Sequence, residues 1–208
     1  MGDSNEAVAA LERLAESVRQ LIAATVTVAA PAATLTAATG AIDRIVAELR
    51  PFVPSPPPPR YQRPAGSTDP NDYFPYDLVI GRRSPLAPPI HFTWEAPKAI
   101  GRVRYGTPYE GPPGCVHGAA LAGAFDQVFN VANVMQGLAG PTAKLEILYR
   151  RPTPLFAELR FEGWQERVAG RRIHTAGRVL AGERVTAEAK GLFVHFSPED
   201  LLDMLARR

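Results

Sequence analysis

Apolar positions change period along the chain, and each change predicts a different kind of element. From about residue 4 to 30, Leu11, Leu14, Val18, Leu21 and Val26 recur at three- to five-residue spacing, the mark of a helix. Asp3, Ser4 and Asn5 offer side-chain caps at its start. A second helix, from about Ala32 to Arg50, carries Ile42, Ile45, Val46 and Leu49 on one side and Asp43, Arg44 and Glu48 on the other, with Pro31 at the joint. The apolar face of this helical hairpin (1–50) is too small to stand alone, so it should pack on the main domain or on a second copy of itself. Periodicity then stops. Residues 51–89 read as a proline-rich irregular linker, with the run Pro56 to Pro59 extended and semi-rigid rather than an SH3-type ligand. Its aromatics Tyr73, Phe74 and Tyr76 should dock on the domain surface.

A period of two begins near Ile90 and runs to Phe196, inside a domain placed at 90–208. His91–Glu95 and Ile100–Tyr105 alternate around Ala96-Pro97-Lys98, a hairpin signature. Further strands are predicted at Thr142–Arg150, Leu155–Trp164, Arg172–Leu180 and Val185–Phe196, with turns at Ala169-Gly170 and Ala181-Gly182-Glu183. In the first of these, Ala143, Leu145, Ile147 and Tyr149 share a face opposite Lys144, Glu146 and Arg150. Ser197-Pro198-Glu199-Asp200 should cap a short helix ending at Leu205.

Between the two groups of strands lies His117 to Ala143, in which Asp126 is the one charged side chain. Ala120, Ala124, Val128, Val131 and Met135 recur at helical spacing and the flanks are apolar too, so a helix buried nearly all round is expected. Gly111-Pro112-Pro113-Gly114 starts it, and Gly137 and Gly140 end it. A carboxylate there is costly unless it is paired or functional. Both readings of Asp126 stand on the residues alone. His117, Gly118 and Ala119 sit where free helix-start N–H groups form an anion site. Asp126 lies roughly 13 Å further along the axis and about half a turn round it. The two features can meet only if two copies of the helix lie antiparallel, which asks for a homodimer with paired interfacial sites.

Composition narrows the classes. A formal charge of +2 with no basic stripe argues against nucleic acid. No GxGxxG, GxxxxGK[ST], CxxC or HExxH motif occurs, so no cofactor and no metal is implied. The single Cys115 fits a reducing, cytoplasmic setting and reads as packing in its Gly/Pro turn rather than as a nucleophile. The acidic MGDSNEAV start is no signal peptide, and the Ala/Thr-rich stretch from Leu21 to Ile42, broken by Pro31 and Gly40, is no membrane span.

One helix against antiparallel strands, apolar nearly all round, predicts an α+β fold in which a sheet curls around the helix. The spaced elements Glu110-Gly-Pro-Pro-Gly-Cys-Val-His-Gly118, Asp126, Thr142 and Tyr149-Arg-Arg-Pro-Thr-Pro-Leu155 resemble the hotdog-fold acyl-CoA thioesterases of the PaaI type, in the branch of the thioesterase superfamily member 4-like proteins. The resemblance covers roughly Ile90 to Phe196. It implies a hotdog homodimer, open to extension into a dimer of dimers, that hydrolyses acyl-CoA. It also implies the Gly118 N–H as oxyanion donor, Asp126 of the other protomer as general base or nucleophile, and Thr142 as holder of the attacking water. His117 would organise the turn, and Arg150, Arg151, Arg171 and Arg172 are candidates for the CoA phosphates. Two positions depart from the family pattern. Ala119 replaces the second glycine of His-Gly-Gly, adding a methyl near the thioester. Gly111 stands where many relatives carry Asn. The small apolar helix lining favours a medium or long acyl chain. A hotdog hydratase or dehydratase, which needs a His paired with a carboxylate, and a non-catalytic acyl-CoA or lipid-binding protein remain as alternatives.

Overall fold

The computed structural model describes residues 2–56, 69–72, 74–138 and 140–196. Tyr73, most of the proline run and the predicted helix from Ser197 lie outside the described residues. Helix α1 (Gly2–Thr25) and helix α2 (Ala32–Leu49) precede strands β1 (His91–Glu95) and β2 (Lys98–Arg104). Helix α3 (Gly118–Met135) follows, then β3 (Thr142–Tyr149), β4 (Glu158–Ala169), β5 (Arg172–Ala181) and β6 (Arg184–Val194). The strands form one antiparallel sheet in the order β1-β2-β4-β5-β6-β3, so among the described residues β3 pairs only with β6 and leaves an open edge. At the two tight turns of the meander, Gly170 and Gly182 have φ of +59° and +57°, a conformation that hairpin turns demand and glycine adopts without strain.

The sheet curls because its centre is hollowed by glycine. Gly163 of β4, Gly177 of β5 and Gly191 of β6 all face the Phe129 ring. A Cβ on Gly177 would lie 2.6 Å from that ring and one on Gly191 2.8 Å, so only bare backbone admits it. Phe125 stacks edge-on against Phe161 at 5.3 Å, and Phe129 against Phe193 at 6.3 Å. Leu121, Ala124, Val128 and Val131 complete the buried face of α3. Burial all round does not hold in the single chain. Asp126, Gln127 and Asn130 are half-buried on the flank away from the sheet centre, and Ala119 is exposed. Polar side chains crowd that flank because it does not face the sheet.

The segment before β1 does more than link. Ile80, Ala87 and Ile90 are buried, and Phe74 packs against the same core. Asp77 accepts the backbone N–H groups of Val79 (2.7 Å) and Ile80 (3.0 Å) through one oxygen and Gln127 of α3 (3.0 Å) through the other. A loop carries no hydrophobic period, so this burial has no sequence signal. Helix α1, in which Ala15 is buried, rests on the same segment through Arg19, which donates to the Ser84 carbonyl at 2.9 Å. Helix α2 has no buried residue. Among the described residues no helix is long and apolar enough to cross a membrane.

On the sheet's outer face Glu162, 3% exposed, accepts from Arg178 (2.9 Å), Arg160 (3.3 Å) and Lys98 (3.3 Å). Burial pushes its carboxyl up, but the bonds and charges of Arg178 and Lys98 outweigh this and hold it below its ordinary 4.5. The folded value is the lower one, so its stabilisation is complete above the unfolded value and disappears as pH falls through the folded one. Glu162→Gln should cost about 1–3 kcal/mol at neutral pH, because its cationic partners keep partial access to water. Acid titration of the melting temperature should show a smaller loss for the variant than for the native chain. Parallel curves would remove Glu162 from the account.

Candidate active site

A short hairpin delivers the chain to α3. Gly111 N–H donates to Cys115 O (2.9 Å), Cys115 N–H to Pro112 O (2.9 Å), and Gly114 N–H to the Glu110 carboxylate (2.7 Å). His117 N–H donates to Tyr109 O and Val116 N–H to Thr153 O, both at 2.8 Å, so the turn is fixed on both sides. A Cβ at Gly111 would lie 2.8 Å from His117 Cα. Asparagine therefore has no room here. The departure from the family pattern is built into the hairpin.

His117 is the N-cap of α3. Its Nδ1 accepts the Ala119 N–H at 3.0 Å, which assigns the ring proton of the neutral form to Nε2. The Ala119 amide is thereby occupied. The Gly118 N–H has no acceptor among the described residues, and the start of a helix gives it a positive bias. One partner was not visible in the sequence. The Tyr149 hydroxyl donates to the Gly118 carbonyl at 3.0 Å, and a Cβ on Gly118 would meet that hydroxyl at 3.1 Å. Tyr149 shares the inner face of β3 with Leu145 and Ile147, and that shared parity at the strand's end was the available signal.

At the other end of β3, Thr142 Oγ1 donates to Asp126 Oδ1 at 2.5 Å. Alternation from Leu145 would put Thr142 on the outer face beside Lys144. A register shift between Thr142 and Lys144 leaves Ala143 as the extra residue of a bulge, and Thr142 returns to the inner face opposite Phe193. The bulge aims the hydroxyl at Asp126. It also takes Ala143 out of the inner-face row assigned to it by alternation.

Within one chain, Gly118 and Asp126 do not meet. They are eight residues apart on one helix, about 12 Å along the axis. The four arginines divide likewise. Arg150 is committed to Glu188 (2.6 and 2.8 Å), whereas among the described residues Arg151 reaches the Val185 carbonyl alone, at 3.2 Å. Both follow Tyr149 and line an open hollow of about 430 Å³ with Gly118, Leu121 and Cys115. Arg171, which donates to the His195 carbonyl at 3.1 Å, and Arg172, paired with Val194, lie at the Thr142 end instead. Among the described residues, no group of three His, Cys, Asp or Glu side chains could hold a metal.

An antiparallel sheet curled around one central helix, with a capped helix start and a Thr-held carboxylate along it, defines an α+β hotdog protein. No family model matches the sequence. A crystal structure of a thioesterase superfamily protein superposes with a TM-score of 0.79 at 32% identity, over 88% of this chain and 94% of that one. Two curated relatives are named acyl-coenzyme A thioesterase THEM4. The mouse protein is 30% identical over 104 residues (49% of this chain, 45% of the relative), and the Bos taurus protein 33% identical over 97 residues (45% and 40%). The chain spans less than half the length of these curated relatives. It belongs to the thioesterase superfamily.

Proposed function

We propose that this protein is an acyl-CoA thioesterase whose two sites are each completed across a homodimer. The observation that carries the reading is the arrangement along β3. Its Thr142 end holds Asp126, its Tyr149 end holds Gly118, and its outer edge is open. Two such edges paired antiparallel about their midpoint would set Asp126 of one protomer against the Gly118 amide of the other. Water beside Asp126 and Thr142 attacks the thioester carbonyl carbon and gives its proton to the carboxylate. The carbonyl oxygen becomes an oxyanion held by the Gly118 N–H, and its collapse expels the CoA thiolate, which takes up the proton. Asp126 attacking directly as nucleophile would use the same geometry. The occupied Nδ1 of His117 makes it the organiser of the turn and disfavours a hydratase, whose His must move a proton to carbon.

The catalytic domain is assigned to 90–208 of a cytoplasmic protein, with 1–50 as a helical arm and 51–89 as the connecting strap. A medium or long acyl chain suits the apolar hollow. Arg151, whose one bond among the described residues is to the Val185 carbonyl, is the first choice for a CoA phosphate, ahead of Arg150. Arg171 and Arg172 reach the same site from the partner's side.

Complementation tests the shared site. Gly118→Pro removes the amide at the first helical position, where proline's fixed φ suits the helix and its Cβ requires the Tyr149 hydroxyl to shift slightly, and Asp126→Asn removes the base. Each alone should be inactive. Mixed after unfolding and refolding, random pairing restores one intact site in half of the dimers, or about a quarter of native activity. No recovery, with both chains folded and dimeric, would place the site within one chain. Tyr149→Phe keeps the ring and deletes the bond to Gly118, worth about 0.5–1.5 kcal/mol. It should lower kcat about two- to tenfold at unchanged KM, and an unaltered kcat would make the bond incidental.

A further inference from the structure

Helix α2 carries an apolar seam that the described residues leave open. Leu35, Ala38, Ile42, Ile45, Leu49 and Phe52 recur in alternating steps of three and four, the spacing with which a helix packs against another helix. Ile45 is 52% exposed, Leu49 43% and Phe52 82%, the last on the tight turn Arg50–Phe52 that prolongs α2. An 18-residue helix with Gly40 and Thr34, Thr36 and Thr39 in its sequence has little stability of its own in water, so packing must supply it. Among the described residues nothing provides that packing, since α1 directs Arg19 to the Ser84 carbonyl and no residue of α2 is buried.

We infer that the α2 seam pairs antiparallel with α2 of a second copy, forming an interface separate from the β3 edge. The seam is complementary to itself in that direction. With the two-fold axis between Ile42 and Ile45, Ile42 faces the partner's Ile45, Ala38 faces Leu49 and Leu35 faces Phe52. The smallest residue of the seam, Ala38, thus meets a leucine, and at each end Leu35 lies against the partner's Phe52 ring. Charge fits the same occupant. Asp43 and Glu48 balance Arg44 and Arg50, so two copies carry no net repulsion. An anionic lipid surface would call for a basic flank, which α2 lacks.

Chains carrying Ile42→Cys and Ile45→Cys are made separately in the full-length protein and treated with a short bismaleimide, and peptide mapping assigns the links. The expected result is that mixed chains form the 42–45 link at least fivefold faster than either chain forms a link to itself. Self-links as fast as the mixed one would mean a parallel pair and overturn the inference, as would no link at all. In a second arm, Ile42→Asp with Ile45→Asp should halve the mass seen by light scattering, or raise the protein concentration needed to hold it at least tenfold, with the melting temperature of the sheet domain kept. Native mass in that variant overturns the inference. So does native-chain binding to neutral phosphatidylcholine vesicles, lost in the variant while mass is unchanged. Neither arm reads catalysis, so failure of the thioesterase reading would show elsewhere, in the complementation experiment.

Discussion

Asp126→Asn should lower turnover of every acyl-CoA substrate by two or more orders of magnitude while leaving the protein folded. Asparagine has the shape of aspartate, and its side-chain oxygen can still accept the Thr142 hydroxyl now 2.5 Å away. What it lacks is a basic lone pair for the proton of water. A positioned general base typically contributes about 10²–10⁴ in rate, and loss of a carboxylate nucleophile would cost at least as much. The loss should fall on kcat and spare KM, because Asp126 is placed to act on water rather than to hold the acyl chain or the nucleotide. Release of free thiol from a panel of acyl-CoAs, with native and variant chains side by side, provides the check. Thr142→Ala should sit between them, since the carboxylate survives but loses its hydrogen bond. A variant that keeps more than a tenth of native kcat would sink the proposed role of Asp126. A native chain inert across the panel while binding acyl-CoA would turn the reading toward a binding protein.

Asp126 stood out as a candidate because a lone charge in an apolar helix is locally anomalous, and local anomalies survive in a linear sequence. The buried stripe of α3 and the strands of the meander were legible for the same reason, since period needs no partner. Thr142 entered only through resemblance. Strict alternation faces it outward, and the bulge at Ala143 that turns it inward depends on register with β6, which a single strand does not display. Tyr149 was read as an inner-face residue opening a family-like run, with no role of its own, because its bond to Gly118 joins residues 31 positions apart. Gly111 looked like a bare departure from the family pattern. The structure makes it a steric requirement of the hairpin, with His117 Cα where a side chain would begin. The burial of Ile80 and Ala87 was hidden for another reason, since irregular backbone packs by shape and leaves no repeat behind it.

Phe129→Ala should be the most destabilising single change in the sheet domain, at about 3–5 kcal/mol. The ring is fully buried and touches Phe125, Phe193 and the bare backbone of three adjacent strands, so truncation removes contacts in every direction. Collapse cannot fill the space. The niche floor is Gly163, Gly177 and Gly191, which have no side chains to move inward, and the hydrogen-bonded ladders of β4, β5 and β6 hold the floor in place. The cost should therefore lie toward the upper end of the range for aromatic truncations, where relaxation is smallest. Refilling from below is barred as well: a methyl on Gly177 would start 2.4 Å from the Glu162 carbonyl oxygen, so Gly177→Ala added to Phe129→Ala should not rescue and should destabilise further. Urea melts of the three chains decide the matter. A loss under about 2 kcal/mol for Phe129→Ala would mean that the niche closes. Recovery by Gly177→Ala would mean that the helix, rather than the sheet backbone, gives way, and α3 would then be held by its capped start at His117 and by the Gln127–Asp77 bond more than by the Phe129 niche.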